Sequence, residues 1–317
     1  MRTRIKINMF LFHGQEIDYS FLKSRNCNSQ LNATQNNAAH NQNAYKANSC
    51  ILFLHGWGGN KNSFLNLANL LNANHNCLLI TLPTTAQTTL VWTLEDYAQC
   101  VLNLLKSLGI NSVQIVCHSF GFRVATLLYH LVKHESQSAS KNLTLNNDKY
   151  NSKTTMQNII FNKNFECDLI TNLNTDITIN KMVITGGAGP KKFNIFKKIE
   201  QNNNVCLLKQ KRNKFLFKSL VSQDYFSLSA TNKKTFKNVV NFNTKNLLKF
   251  DIPLLLFWGK NDSETPIWIA KKICHSNKKN AALKITNSDH FAYLKQSAIF
   301  ANLVVKFLWY IYLFILT

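Results

Sequence analysis

The sequence predicts an α/β fold, a mostly parallel central sheet flanked by helices. Three observations carry that prediction. Apolar runs of strand length stand at 50–54, 77–82, 113–116, 181–185, 252–258 and 282–285. Longer stretches with the ~3.6-residue spacing of helices lie between them. The strands read as apolar on both faces, as strands do when helices cover both sides of a parallel sheet. Ligands of such sheets bind outside the carboxyl ends of the strands.

In chain order, Ile5–Phe12 and Ile17–Leu22 flank His13, Gly14, Gln15 and Glu16 and predict a hairpin, so that residues 1–24 open the core. Residues 25–48 are polar and Asn-rich with almost nothing to bury, which predicts a disordered insertion. The core resumes over 49–134, with a strand to Leu54, a helix over Phe64–Asn72 and a strand over Cys77–Leu82. Thr93–Leu108, apolar at 94, 97, 101, 104, 105 and 108, predicts an amphipathic helix. Val113–Val116 is the next strand and Arg123–Val132 the helix after it. Residues 135–180 form a second Asn/Ser/Lys-rich, low-complexity insertion, which predicts disorder over most of its length. The core strand Lys181–Thr185 then runs into a glycine-rich turn ending at Pro190. Residues 191–249 turn helical and basic and predict a small cap. Residues 250–317 return to the core with a strand over Ile252–Trp258, a helix over Pro266–Cys274, a strand over Ala282–Ile285 and a helix from Ser297.

Composition excludes several classes. With 37 Lys and Arg against 15 Asp and Glu the formal charge is +22, which would ordinarily point to nucleic acid, an anionic membrane or an acidic partner. Here Lys and Asn are spread through the whole chain, as in Lys191-Lys192, Lys233-Lys234 and Asn202-Asn203-Asn204. Diffuse charge of that kind is not a site. No zinc knuckle, aromatic-interleaved basic strand or basic recognition helix is present, so no nucleic-acid partner is expected. Eight scattered cysteines without C-x-x-C or metal-ligand spacing predict reduced, mostly buried thiols, a cytoplasmic location and no metal. The start, MRTRIKINMFLFHG, reads as a first strand and not as a signal peptide. The run FLWYIYLFIL, Phe307–Leu316, covers as a helix only about half of the ~30 Å hydrocarbon core. It predicts the last helix of the domain with an over-hydrophobic end, and peripheral membrane contact through this tail is the alternative.

The chemistry begins at VQIVCHSFGFRVATLLYH, where Ser119 sits between a strand and a helix. A side chain at so tight a turn stands above the sheet edge, and the residues two before and two after must be small. These are Cys117 and Gly121. Three more features fall at predicted strand carboxyl ends. His55-Gly56-Trp57-Gly58-Gly59 follows the 50–54 strand, and there glycines let the backbone aim an N–H at a developing oxyanion. The candidate donors are the amides of Trp57 and Phe120. Asp262 follows the 252–258 strand, where a carboxylate can orient an imidazole. Glu264 is its neighbouring competitor, and Asp251 lies at the wrong end of the strand. His290 follows the 282–285 strand. The order Ser119, Asp262, His290 is the nucleophile–acid–histidine order of one fold.

On these residues the sequence resembles the α/β-hydrolase fold superfamily. The likeness rests on FLHGWGGNKNSF, VCHSFGFRVA, FWGKNDSETP and DHFAYLKQSAIFANLVVKFL, and extends over about residues 50–134 and 181–308. It implies a serine hydrolase, carboxylesterase-like, with Ser119 as nucleophile, His290 as general base and then acid, Asp262 as its orienter and no cofactor. The sequence departs from the family where D-x-P-G-x-G-x-S becomes Thr81–Thr88 without glycines, where Cys117 replaces a glycine, and at Phe122.

The implied substrate is a small to medium carboxylic ester or thioester, its acyl chain met by cap aromatics among Phe193, Phe196, Phe215, Phe217, Tyr225 and Phe226. HGWG also resembles the pimeloyl-ACP methyl ester esterases, which implies an acidic acyl carrier protein as partner for a basic cap. The alternatives are an aminopeptidase or carbon–carbon bond hydrolase with the same triad, or a non-catalytic binding protein on the same fold.

Overall fold

The structure is a computed structural model that describes residues 8–26, 48–84, 88, 90–144, 177–190 and 228–309. Among these residues one eight-stranded sheet organises the chain: β1 Asn8–Phe12, β2 Gln15–Leu22, β3 Ser49–Leu54, β4 Cys77–Ile80, β5 Ser112–His118, β6 Thr178–Thr185, β7 Leu254–Gly259 and β8 Ala281–Thr286. Their order is β1-β2-β4-β3-β5-β6-β7-β8. The first two pairings are antiparallel and every other pairing is parallel.

The opening hairpin is tighter than the four-residue loop expected. His13 and Gly14, at φ +48° and +74°, turn the chain directly from β1 to β2; positive φ at both central residues suits the twist of a hairpin. The helices are α1 Leu65–Leu71, α2 Leu94–Ser107, α3 Phe120–Thr144, α4 Ala230–Asn241, α5 Trp268–Ser276, α6 Ala292–Lys295 and α7 Ser297–Trp309. The start of α2 is set by a capping box, in which Thr93 accepts from the Asp96 amide and Asp96 accepts from the Thr93 amide.

Two boundaries differ from the sequence reading. Helix α3 begins immediately after Ser119 and continues to Thr144, because the largely polar residues after Val132 carry no apolar period by which a sequence marks a helix. Strand β6 begins at Thr178, pairing Thr178 and Ile179 with the start of β5 ahead of a register shift. The disorder expected for 25–48 and 135–180 falls largely on residues outside those described, as do 191–227 of the expected cap and the tail beyond Trp309.

The sheet is buried on both sides. One cluster joins Leu52, Leu54, Ile115, Ile184, Leu256 and Trp258 to α2 and α3. The other joins Ile51, Phe53, Val116, Val183, Leu255 and Phe257 to α1 and α7. Adjacent residues of one strand thus enter opposite cores, which is the physical reason these strands carry no polar alternation. A Leu or Ile fully buried in this way stabilises by about 2 kcal/mol. The end of α7 is closed by Lys181 of β6, whose Nζ donates to the carbonyls of Phe307 and Leu308. Among the described residues no helix is long and apolar enough to cross a membrane. Cys50, Cys77, Cys100 and Cys117 are buried free thiols.

Candidate active site

The parallel arrangement of β3, β5, β7 and β8 carries their four following loops to one edge of the sheet. These loops hold Trp57, Ser119, Asp262 and His290. Ser119 is the residue at which β5 hands over to α3, and its φ is +49°. A non-glycine residue in the left-handed region costs about 1 kcal/mol or more and persists only where the surroundings enforce it. Here the Ser119 amide donates to the Thr185 carbonyl (3.1 Å), and the Ser119 carbonyl accepts from the amides of Phe122 (3.1 Å) and Ala188 (2.9 Å). The half-buried Oγ has no hydrogen-bond partner among the described residues.

The small-residue requirement of the elbow is met unequally. A Cβ at Gly121 would lie 2.3 Å from the Leu54 carbonyl oxygen, so no side chain fits there. Cys117 is accommodated: its buried thiol donates to the Val183 carbonyl at 3.4 Å, and burial pushes its pKa up, so it stays protonated. The bulk of Phe122 is offset across the loop by Gly187, where a Cβ would come within 2.9 Å of the Phe122 ring.

Asp262 and His290 meet directly. His290 Nδ1 lies 2.9 Å from Asp262 Oδ2, with the Asp262 side chain fully buried and that of His290 7% exposed. Asp262 Oδ1 accepts from the amides of Glu264 (3.0 Å) and Thr265 (2.7 Å). Burial alone would raise the Asp262 pKa, but the hydrogen bond and charge of His290 and the bonds from Thr265 outweigh it and hold the carboxyl below its ordinary value. Of the two competitors, Asp251 pairs with Lys133 at the far edge. Glu264 Oε2 lies 3.8 Å from the other nitrogen of His290, Nε2.

Two contributors had no role in the sequence reading. Thr265 Oγ1 lies 2.7 Å from Asp262 Oδ2, 2.9 Å from the Gly186 carbonyl and 3.2 Å from His290 Nδ1, so its one proton goes to the carboxylate or to the carbonyl. Its signal was the spacing Asp262-x-x-Thr265, which lets one carboxylate cap the amide three residues on. His118 donates from Nε2 to the His290 carbonyl at 3.1 Å, and the two rings stand 4.6 Å apart. Burial first, then the neighbouring His290, lowers the His118 pKa to about 3, so it remains neutral.

His55 is structural in the same way. Its Nδ1–H donates to the Gly56 carbonyl (2.7 Å) and its Nε2 accepts from the Leu82 amide (2.8 Å), which fixes one neutral tautomer; burial lowers its pKa to about 4. The loop that lacks the family's glycines supplies hydroxyls instead. Thr84 Oγ1 accepts from the Gly58 amide (3.1 Å) and Thr81 Oγ1 from the Lys61 amide (3.2 Å). Thr84→Val is therefore expected to cost about 0.5–1 kcal/mol by removing a hydrogen bond whose donor, the amide of exposed Gly58, can turn to water instead, read as a slightly lower urea midpoint at unchanged m-value.

The Trp57 amide is engaged by no acceptor among the described residues, and that of Phe120 heads α3 without an intrahelical partner. Both side chains are in ring contact, Trp57 with Phe120 (5.5 Å) and with Phe236 of α4 (4.9 Å). Helix α4, which falls within the segment expected to form a cap, is tied down by Thr88 to Asn232 (2.6 Å), by the Trp92 amide to Thr235 (3.0 Å), and by Arg123 donating to the carbonyls of Val239 and Phe242. The arrangement offers a half-buried hydroxyl, a buried imidazole–carboxylate pair and two amides without an acceptor among the described residues at one edge, the parts acyl transfer needs.

Comparison with known proteins agrees with this architecture. The model of the alpha/beta hydrolase family matches residues 51–137. Among solved structures, a hydrolase from Pseudomonas aeruginosa is 12% identical, with a TM-score of 0.59 over 96% of this chain and 98% of that one. An esterase from Exiguobacterium antarcticum is 13% identical, with a TM-score of 0.55 over 92% and 95%. An enol-lactonase from Burkholderia xenovorans is 12% identical, with a TM-score of 0.57 over 95% and 99%. No curated protein sequence matches. Likeness at such identities speaks to fold, and with the strand order and the strained serine elbow it makes this chain a protein of the α/β-hydrolase fold.

Proposed function

We propose that this chain is a serine hydrolase that cleaves a small to medium carboxylic ester or thioester through an acyl-enzyme. The observation that carries the reading is the left-handed backbone of Ser119, strain held in place at a strand-to-helix turn beside a buried His290–Asp262 pair.

In this mechanism substrate closes the gap between Ser119 Oγ and His290 Nε2, as catalytic hydrogen bonds commonly tighten on binding. His290 Nε2 takes the hydroxyl proton while Oγ attacks the acyl carbon, and the carbonyl π electrons move onto the oxygen. The amides of Trp57 and Phe120 hold that oxyanion, a type of contact worth about 3–4 kcal/mol of barrier. The imidazolium is stabilised by Asp262 through Nδ1–H. As the tetrahedral species collapses, the bond to the leaving group breaks and His290 returns the proton to the departing oxygen or sulfur. Water then repeats the sequence on the acyl-enzyme, releasing the acid and restoring Ser119.

A fluorophosphonate probe is expected to label wild type and not Ser119→Ala, and a p-nitrophenyl ester series is expected to show an optimum acyl length. Folded wild type that takes up no probe and cleaves no ester would sink the reading. An acyl carrier protein as a docking partner and a cytoplasmic setting belong to this proposal as expectations from the sequence.

A further inference from the structure

The Nε2 side of His290 is not electrically neutral. Glu264 Oε2 stands 3.8 Å from it on a side chain that is 63% exposed, while the Glu264 backbone is anchored by its amide to Asp262 Oδ1. The carboxylate is therefore held at the mouth of the site by the same turn that holds the buried acid. Its charge is also uncompensated. In a chain with 37 Lys and Arg against 15 acids, Asp18, Glu135, Asp251 and Asp289 each pair with a lysine. Glu264 has no lysine or arginine within ion-pair distance among the described residues. Of the two rings packed on His290, Phe291 carries no charge and His118 is neutral, and the nearby Asp289 is matched by Lys295.

Position decides what such a charge can do. In a triad, Nε2 is the atom that hands its proton to the leaving group, so the leaving-group oxygen passes within hydrogen-bond distance of it. A carboxylate beside Nε2 consequently faces the alcohol portion of an ester and not its acyl portion, which lies over the amides of Trp57 and Phe120.

We propose that Glu264 is a specificity-determining residue that selects esters whose alcohol portion carries a positive charge, an ammonium or protonated amine a few bonds from the ester oxygen, and disfavours those carrying a carboxylate there. The inference rests on the serine-hydrolase reading above. It does not follow from the chain's overall charge, which would attract anions.

The test uses three esters of one acyl group, chosen as the best from the chain-length series: the ester of choline, of its uncharged carbon isostere, and of an ω-hydroxy acid of similar length. At low ionic strength, wild-type kcat/KM is expected to favour the choline ester over the neutral isostere by about threefold to fivefold and to disfavour the acid ester similarly, since a charge pair at ~4 Å in near-aqueous surroundings is worth about that factor. The difference should sit in KM, as expected of attraction felt equally by ground and transition states, and shrink as salt is added. Glu264→Gln should bring the ratios toward one and Glu264→Lys should invert them. Ratios unchanged in both variants would overturn the assignment while leaving the serine-hydrolase reading intact. Wild type that cleaves even the neutral isostere no better than Ser119→Ala would instead remove that reading, and this inference with it.

Discussion

Asp262→Asn is expected to lower kcat by about 10⁴-fold without unfolding the protein. The reason lies in the hydrogen-bond pattern around the carboxylate. Oδ1 accepts from two backbone amides, of Glu264 and Thr265, so an asparagine must place its carbonyl oxygen there. Its NH₂ then takes the place of Oδ2 and points a donor at His290 Nδ1, where the wild-type carboxylate accepts. His290 is driven to the tautomer with hydrogen on Nε2, which cannot take a proton from Ser119. A second measurement follows from linkage. The Asp262 carboxyl is held below its ordinary value in the fold. Its contribution to stability is therefore present above the unfolded carboxylate range, from about pH 4 upward, and is lost as pH falls through the lower folded value. The gap in urea midpoint between wild type and Asp262→Asn should narrow as pH is lowered from neutrality toward about pH 3. A gap that widened on acidification would mean that the native fold does not depress this carboxyl.

Gly121→Ala carries the second large effect, on the fold as much as on chemistry. The new Cβ would lie 2.3 Å from the Leu54 carbonyl oxygen and 2.7 Å from its carbon. Both are backbone atoms of β3 with no rotamer to yield. Either α3 moves off the sheet or the end of β3 shifts, and both movements displace the elbow. A cost of about 3 kcal/mol or more is expected, at the upper end of overpacking, with a fall in Tm of about 6 °C or more by calorimetry. Variant protein that survives should label slowly with the fluorophosphonate, because Ser119 and the Trp57 loop are set by the same contact. A variant with unchanged Tm and labelling rate would show that the close approach of α3 to β3 does not position the site.

The difference between these two residues describes what was legible beforehand. Gly121 could be read from local chemistry, since a nucleophile elbow crowds its own flanks. The choice of Asp262 over Glu264 rested on position just past a buried strand, and the structure puts Asp262 at Nδ1 and Glu264 at Nε2. Sequence order placed both near the histidine but said nothing of which nitrogen each would face. Thr265 left only the short Asp262-x-x-Thr265 spacing as a signal, and His118 left none, because a neutral buried histidine carries no distinctive spacing. Thr265 also reaches the Gly186 carbonyl 79 positions away, and His118 binds a carbonyl 172 positions away.

The departures from the family pattern show the same limit. Cys117, Phe122 and the glycine-free Thr81–Thr88 loop read as defects when judged one segment at a time. In three dimensions the thiol finds the Val183 carbonyl, the Phe122 ring fills space left at Gly187, and the Thr84 hydroxyl takes the Gly58 amide. Each compensation comes from a different strand or loop.

By itself the sequence determined the fold class, the succession of strands and helices, and which four loops share one edge of the sheet, because apolar period, turn residues and chain order are local or one-dimensional properties. Only the tertiary structure decided which carboxylate meets which imidazole nitrogen, how the altered elbow is packed, and that an uncompensated charge stands at the mouth of the site. Those are distances between residues remote in sequence, set by strand register and by the burial of both faces of the sheet.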